Sequence, residues 1–258
     1  MNEKSPIGIF DSGIGGLSVL NHLVKYLPNE DFIYIADNTY FPYGLKSSNE
    51  IESIVARIGY YFEEIGVKTI VIACNSASSK TNFLEKHLHT KLFPIIEPTA
   101  KKALLTTKNK NIGLLATKLT IESKLYDKYL KEVNLFPLIC DKFVTLVENG
   151  FNSDSNTLKI IDSHLSTLKN KNLDTIILGC THFSFLFDII SNLMSDVTII
   201  DSSLSILDDL KDYLKSNNLV NPQVKGDVSL ITTKDKKSFI NKLEKIKMNI
   251  YDVKEINL

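Results

Sequence analysis

An internal repeat constrains this chain more than any other feature. The run Ile7-Gly-Ile-Phe-Asp11 is echoed by Ile112-Gly-Leu-Leu-Ala116, and Phe32-Ile-Tyr-Ile-Ala-Asp37 by Phe136-Pro-Leu-Ile-Cys-Asp141. Likewise Ile70-Val-Ile-Ala-Cys74-Asn-Ser is echoed by Ile176-Ile-Leu-Gly-Cys180-Thr-His, and Pro94-Ile-Ile-Glu97 by Thr198-Ile-Ile-Asp201. The partners lie 104–106 residues apart and keep their order, which points to two related four-strand halves.

Each echoed run is short, apolar and rich in β-branched residues, and helical spacing follows it. Parallel strands need a crossover connection, usually a helix, so this alternation predicts α/β with mostly parallel sheets. Strands are expected over 7–10, 32–36, 69–73, 93–96, 111–115, 135–139, 175–178, 197–200, 228–232 and 248–253. Apolar residues at helical spacing predict helices over 17–27, 51–62, 78–88, 120–130, 158–168, 183–193 and 203–214. The expected architecture is two pseudo-symmetric, mostly parallel-sheet α/β domains with the active site in the cleft between them. Residues 1–97 plus 207–258 would form the first domain, carrying Cys74; residues 98–206 would form the second, carrying Cys180. The tail from about Leu207 adds a helix, a strand and another helix to the first.

At 258 residues, 43% hydrophobic and 23% charged, the chain can bury one large core or two small ones. Thirty basic side chains balance thirty acidic ones, which gives no electrostatic footprint for nucleic acid. Asp11 stands where a signal peptide needs an apolar core, and no apolar run approaches the length of a membrane span, so a cytoplasmic protein is expected. Three widely spaced cysteines fit free thiols better than a disulfide framework or a metal knuckle. Arg57 is the only arginine, so a bidentate guanidinium clamp on a carboxylate or phosphate is almost unavailable.

Cys74 and Cys180 follow equivalent strands and precede small polar residues and helical patterns. Open parallel sheets bind ligands at the carboxyl ends of their strands, so both thiols are expected to point into one cleft. A helix start just downstream is expected to lower each thiol pKa toward neutrality. Asp11, in Asp11-Ser12-Gly13-Ile14-Gly15-Gly16, and His182, two residues past Cys180, are candidate proton-handling partners. Cys140 reads as strand-end core, and His22, His87, His89 and His164 as surface or packing residues of helices. Ser18 occupies the third glycine position of a dinucleotide fingerprint, no phosphate-binding Gly-Lys-Ser/Thr loop exists, and Cys180 with His182 is too small a set for a metal.

Five segments resemble the glutamate racemases of the cofactor-independent aspartate/glutamate racemase superfamily. They are Ile9-Phe10-Asp11-Ser12-Gly13-Ile14-Gly15-Gly16-Leu17-Ser18, Pro42-Tyr43-Gly44, Ala73-Cys74-Asn75-Ser76-Ala77-Ser78, Leu146-Val147-Glu148-Asn149-Gly150 and Gly179-Cys180-Thr181-His182-Phe183. The resemblance implies a racemase without cofactor or metal that acts on L- or D-glutamate as its small-molecule partner and supplies D-glutamate for peptidoglycan. One cysteine would take the α-proton from one face while the other returns a proton to the opposite face. Cys74 would act on D-glutamate with help from Asp11, and Cys180 on L-glutamate with help from His182, with Glu148 a further carboxylate nearby. Asp11, Ser12, Tyr43, Gly44, Asn75, Ser76, Thr181 and His182 would surround the substrate, with Thr117 and Thr120 as the second half's hydroxyls. A homodimer is compatible with the resemblance. Ser76, Thr99 and Ser184 depart from the Thr, Gly and Pro usual at those places. An aspartate or related amino-acid racemase, and a catalytically silent amino-acid-binding protein, are the alternatives.

Overall fold

The computed structural model describes residues 2–150, 155–246 and 251–258. The strands are β1 (Ile7–Asp11), β2 (Phe32–Ala36), β3 (Thr69–Ile72), β4 (Leu92–Pro94), β5 (Asn111–Ala116), β6 (Asn134–Ile139), β7 (Thr175–Gly179), β8 (Thr198–Asp201), β9 (Val228–Thr232) and β10 (Asp252–Glu255). Residues 248–250 of the last expected strand lie outside the described residues.

All strand pairs are parallel, in one sheet of order β10-β9-β2-β1-β3-β4 and another of order β6-β5-β7-β8. The order β2-β1-β3-β4 recurs as β6-β5-β7-β8, so the sequence repeat is a repeat of topology. The tail pairs β9 against β2 and β10 against β9. Strands β1, β3 and β7 are buried along their whole length, as expected of parallel strands covered on both faces.

The helices are α1 (Leu17–Tyr26), α2 (Ser48–Glu64), α3 (Asn75–Ser78), α4 (Thr81–Leu84), α5 (Ile96–Thr106), α6 (Lys118–Glu122), α7 (Leu125–Tyr129), α8 (Asp141–Glu148), α9 (Ser155–Leu165), α10 (Phe187–Leu193), α11 (Leu207–Ser216) and α12 (Lys236–Lys245). Several expectations need correction. The helix expected over 78–88 is two short helices, α3 and α4. The one over 120–130 is broken between α6 and α7 at Lys124, whose φ of 58° is left-handed and cannot continue a right-handed helix. The first four residues of the one over 183–193 belong to a 3-10 turn, Thr181–Leu186. The strand expected over 93–96 ends at Pro94, and Ile96 opens α5. Pro98 falls in the first turn of α5, where no intrahelical partner awaits its missing N–H, so it does not break the helix.

One buried ion pair ties distant segments together. Lys68, beside β3, is 1% exposed; its ammonium contacts a Glu30 carboxylate oxygen and donates to the carbonyls of Glu3 at 2.8 Å and Leu219 at 2.9 Å. The other Glu30 oxygen accepts from the Asn221 N–H at 2.9 Å. The N-terminal segment, the β1–β2 connection and the α11–β9 connection therefore converge on one ammonium.

Candidate active site

In each sheet the chain leaves its first strand toward one side and returns to place the third strand on the other. The loops after β1 and β3 therefore diverge, as do those after β5 and β7, and each divergence opens a crevice at the strands' carboxyl ends. Cys74 lies just past β3 and Cys180 just past β7, at 6% and 7% exposure. Both line one cleft, along with Ser12, Asn75, Ser76 and Gly44 from the first half of the chain. Thr117, Thr181 and His182 face it from the second half.

Behind the lining stands a shell of fixed polar groups. Asp11 is fully buried; its Oδ1 accepts from the Gly13 N–H at 3.0 Å and its Oδ2 from the Thr181 hydroxyl at 3.0 Å. His182 Nδ1 lies 3.9 Å from Cys180 Sγ, and its Nε2 lies 2.8 Å from Glu148 Oε1. That same oxygen accepts from the Ile14 N–H at 3.1 Å, while Glu148 Oε2 lies 2.6 Å from Lys242 Nζ. An ionised carboxylate only accepts, so Nε2 carries a hydrogen toward Glu148, and in the neutral form of the ring it is the Nδ1 lone pair that faces Cys180.

The two halves are joined across the cleft by small donors. The Ser76 and Thr117 hydroxyls are 2.9 Å apart, and those of Thr117 and Thr120 are 3.0 Å apart. Asn75 accepts from the Tyr126 hydroxyl at 2.9 Å and donates to Ser202 at 3.4 Å. Ser76 thus keeps a hydroxyl in the network. Thr99 is occupied on the Ile95 carbonyl at 2.6 Å, and Ser184 donates to Asp201 at 2.7 Å.

Tyr43 departs from its expected place. Its phenol is fully buried and donates to Asp37 Oδ2 at 2.6 Å, away from the cleft, which its neighbours Pro42 and Gly44 line instead. Asp37 also accepts from Thr233 at 2.7 Å and lies 3.8 Å from Arg57. The single guanidinium is further occupied by the Leu258 carbonyl at 2.7 Å and by the Tyr40 ring, 4.5 Å away. Asp11, Glu148 and Thr120 also stand behind the lining, hydrogen-bonded to Thr181, His182 and Thr117 in front of them. Cys140 is buried core, as read.

Helix α8 supplies lining that sequence reasoning passed over, namely Asp141, Val144 and Thr145. The repeat held the signal, since Asp141 is the partner of Asp37.

Electrostatics correct the expectation for the thiols. Burial, then the nearby Asp11 carboxylate, push Cys74 up to about 12, and three backbone N–H groups, from Ala77, Ser76 and Ser12, offset only part of this. Helix α3 spans only four residues, too short to supply much of a dipole. Burial, then charge at Cys74, raise Cys180 as well, so each thiol opposes ionisation of the other. Burial also raises Asp11, against His182 and its hydrogen-bond donors. Burial would raise Glu148 too, but the His182 hydrogen bond and charge and the Lys242 ammonium outweigh it and hold the carboxyl down to about 2.

That depression has a sign. Because Glu148 titrates near 2 in the fold and at 4.5 ordinarily, its contribution is present above pH 4.5 and is lost as pH falls toward 2. The full loss is about 3 kcal/mol. Urea denaturation at intervals across that window is expected to show the slope, and Glu148→Gln to flatten it.

The comparisons agree with this fold. The sequence profile of the Asp/Glu/Hydantoin racemase family matches residues 7–207. A glutamate racemase of Thermoanaerobacter pseudethanolicus is 38% identical over 247 residues, 94% of this chain and 93% of that one. A solved glutamate racemase isoform of Bacillus anthracis superposes with a TM-score of 0.95 at 30% identity, covering 100% of this chain and 99% of that one. The Francisella tularensis glutamate racemase, solved in complex with D-glutamate, gives 0.91 at 29% identity, covering 99% and 98%. With the family's profile spanning both thiol strands, and a relative of this identity along nearly the whole length, the chain belongs to the Asp/Glu/Hydantoin racemase family.

Proposed function

We propose that the protein is a cytoplasmic glutamate racemase that interconverts L- and D-glutamate by two-thiol proton transfer, supplying D-glutamate for peptidoglycan. The observation that carries the reading is the pair of buried thiols at equivalent strand ends of two sheets, both lining one cleft. The names of the relatives support the substrate, and D-glutamate bound to the Francisella tularensis enzyme supports its fit to such a cleft.

With L-glutamate, Cys180 passes its proton to His182 Nδ1 and, as thiolate, takes the α-hydrogen. The Cys74 thiol returns a proton to the opposite face, which leaves Cys74 as thiolate and Cys180 as thiol. With D-glutamate the roles reverse, Asp11 assisting Cys74. The substrate's α-ammonium offsets the burial and like-charge repulsion that hold both thiols neutral in the empty cleft. Ser12, Asn75, Ser76, Thr117 and Thr181 offer hydroxyl, amide and backbone donors to the substrate carboxylates and to the charge developing at the α-carbon. The two sheets correspond to two domains that meet at the cleft.

The test is circular dichroism of L-glutamate and, separately, D-glutamate with purified protein, no added cofactor, and aspartate for comparison. Decay of both glutamate signals to zero with aspartate unchanged is expected. Decay with aspartate alone would transfer the reading to an aspartate racemase, and no decay with any amino acid would leave a binding protein.

Gly15 tests the placement of His182. A Cβ there would sit 2.5 Å from His182 Nδ1 and against the Thr181 hydroxyl, and the ring is pinned to Glu148 behind it. Gly15→Ala is expected to displace the ring from Cys180 and lower kcat about 10²-fold, with the far-ultraviolet dichroism unchanged.

A further inference from the structure

Lys242 lies on α12, in the tail beyond residue 207, where the match to the family profile ends. Its Nζ is 2.6 Å from Glu148 Oε2, and its side chain is 23% exposed against 5% for Glu148. The same ammonium stands 5.7 Å from the Phe41 ring centroid, and Phe41 in turn lies 6.0 Å from the His182 ring. Helix α12 is firmly seated: Asp235 caps it by accepting from the Ser238 N–H at 2.9 Å, and Phe239 and Leu243 are buried. The ammonium is therefore delivered from a fixed element rather than a loose surface chain.

A carboxylate held through one oxygen can still turn about its side-chain bonds. Glu148 Oε1 takes both the Ile14 N–H and His182 Nε2, and without Lys242 the other oxygen would have no partner among the described residues. We propose that Lys242 is a positioning residue of the active site: its ammonium anchors Oε2 of Glu148, so that Oε1 holds the His182 ring in one tautomer and one orientation beside Cys180. The tail then supplies the outermost member of a line that runs Lys242, Glu148, His182, Cys180. Among the described residues, only the Cys180 side of the cleft has such a line; Asp11, on the other side, is held by a backbone N–H and a hydroxyl. Lys242 acts on one of the two proton transfers.

This proposal rests on the two-thiol glutamate racemase reading, and the experiment separates the two. Racemisation by the wild-type protein is measured first; its absence would strike the reading itself. Given an active wild type, Lys242→Met, which keeps most of the apolar stem, is expected to lower kcat about 10-fold to 100-fold, as a small misplacement of a proton-handling group does. KM is expected to change little, since Lys242 does not line the cleft. Lys242→Arg, which restores a cation within reach of Oε2, is expected to recover much of the loss. In a Glu148→Gln background, Lys242→Met should cost nothing further, because the lysine acts through that carboxylate.

The sidedness has its own readout. With α-deuterated substrates, Lys242→Met should enlarge the isotope effect on L-glutamate, where Cys180 removes the deuteron, relative to that on D-glutamate. Unchanged kcat would overturn the proposal. So would a loss that is additive with Glu148→Gln, that arginine does not rescue, or that raises both isotope effects alike, each of which marks a merely structural side chain. If Lys242→Met melts early, Lys242→Gln carries the same comparisons.

Discussion

Cys74→Ser and Cys180→Ser are each expected to lower racemisation by about 10²–10⁴-fold. Inversion needs a base on one face and an acid on the other, and a serine hydroxyl, a far weaker acid than a thiol, supplies neither well in a buried cleft. The deficits should be asymmetric in a second assay. Cys180→Ser retains the Cys74 side and should still exchange the α-hydrogen of D-glutamate with deuterated water without inverting it, while Cys74→Ser should do the same for L-glutamate. Nuclear magnetic resonance follows the exchange, and circular dichroism follows the inversion. Near wild-type racemisation by either variant would sink the two-thiol mechanism; exchange of the wrong enantiomer would reverse the assignment of faces. Both thiols are buried, so the variants must also be shown to melt with the parent.

Lys68→Met is expected to produce the largest loss of stability outside the cleft, about 3–5 kcal/mol. The ammonium is fully buried, and its removal strands the Glu30 carboxylate and the carbonyls of Glu3 and Leu219 without their donor. Most of the cost is the uncompensated charge, not the lost attraction. Lys68→Met combined with Glu30→Gln should therefore recover part of it, because the neutral amide can still accept from the Asn221 N–H. Urea unfolding of the three proteins gives the comparison, and a single variant as stable as the parent would show that Glu30 takes up its proton and is tolerated neutral.

The strands were legible because a buried parallel strand writes itself as an unbroken apolar run, and Ile70–Ile72 or Ile176–Leu178 can hardly be anything else. The repeat by itself puts Cys74 and Cys180 at matching strand ends. Helices fared less well where the chain must turn within the cleft. Helices α3 and α4 share one amphipathic pattern, as do α6 and α7, yet local backbone choices such as the left-handed Lys124 divide them. Helix α5 was hidden by Pro98 and by apolar Ile95 and Ile96, which suit a strand as well as a helix start. The thiol electrostatics were illegible, because a downstream helix can be read from sequence and the depth of burial cannot. Lys242 was equally hidden: it is one lysine among many, and only the packing of the tail brings it to Glu148 across 94 positions of sequence.

The engagement of Arg57 on Asp37, Tyr40 and the Leu258 carbonyl leaves the cleft walls without a lysine or arginine among the described residues. Glutamate is a net anion, and a site that met it with cations would draw it in over a distance and loosen its grip as salt screened the attraction. A cleft that offers amide and hydroxyl donors, with the Asp141 carboxylate in its wall and no cationic lysine or arginine, does neither. Its dipoles act at hydrogen-bond range, inside the distance at which mobile ions intervene, so such walls give capture no long-range pull from cations and leave retention little to lose to screening. Such a site works alike at low and at high ionic strength, and it tells one dicarboxylate from another by where each donor stands, not by how much charge the ligand brings.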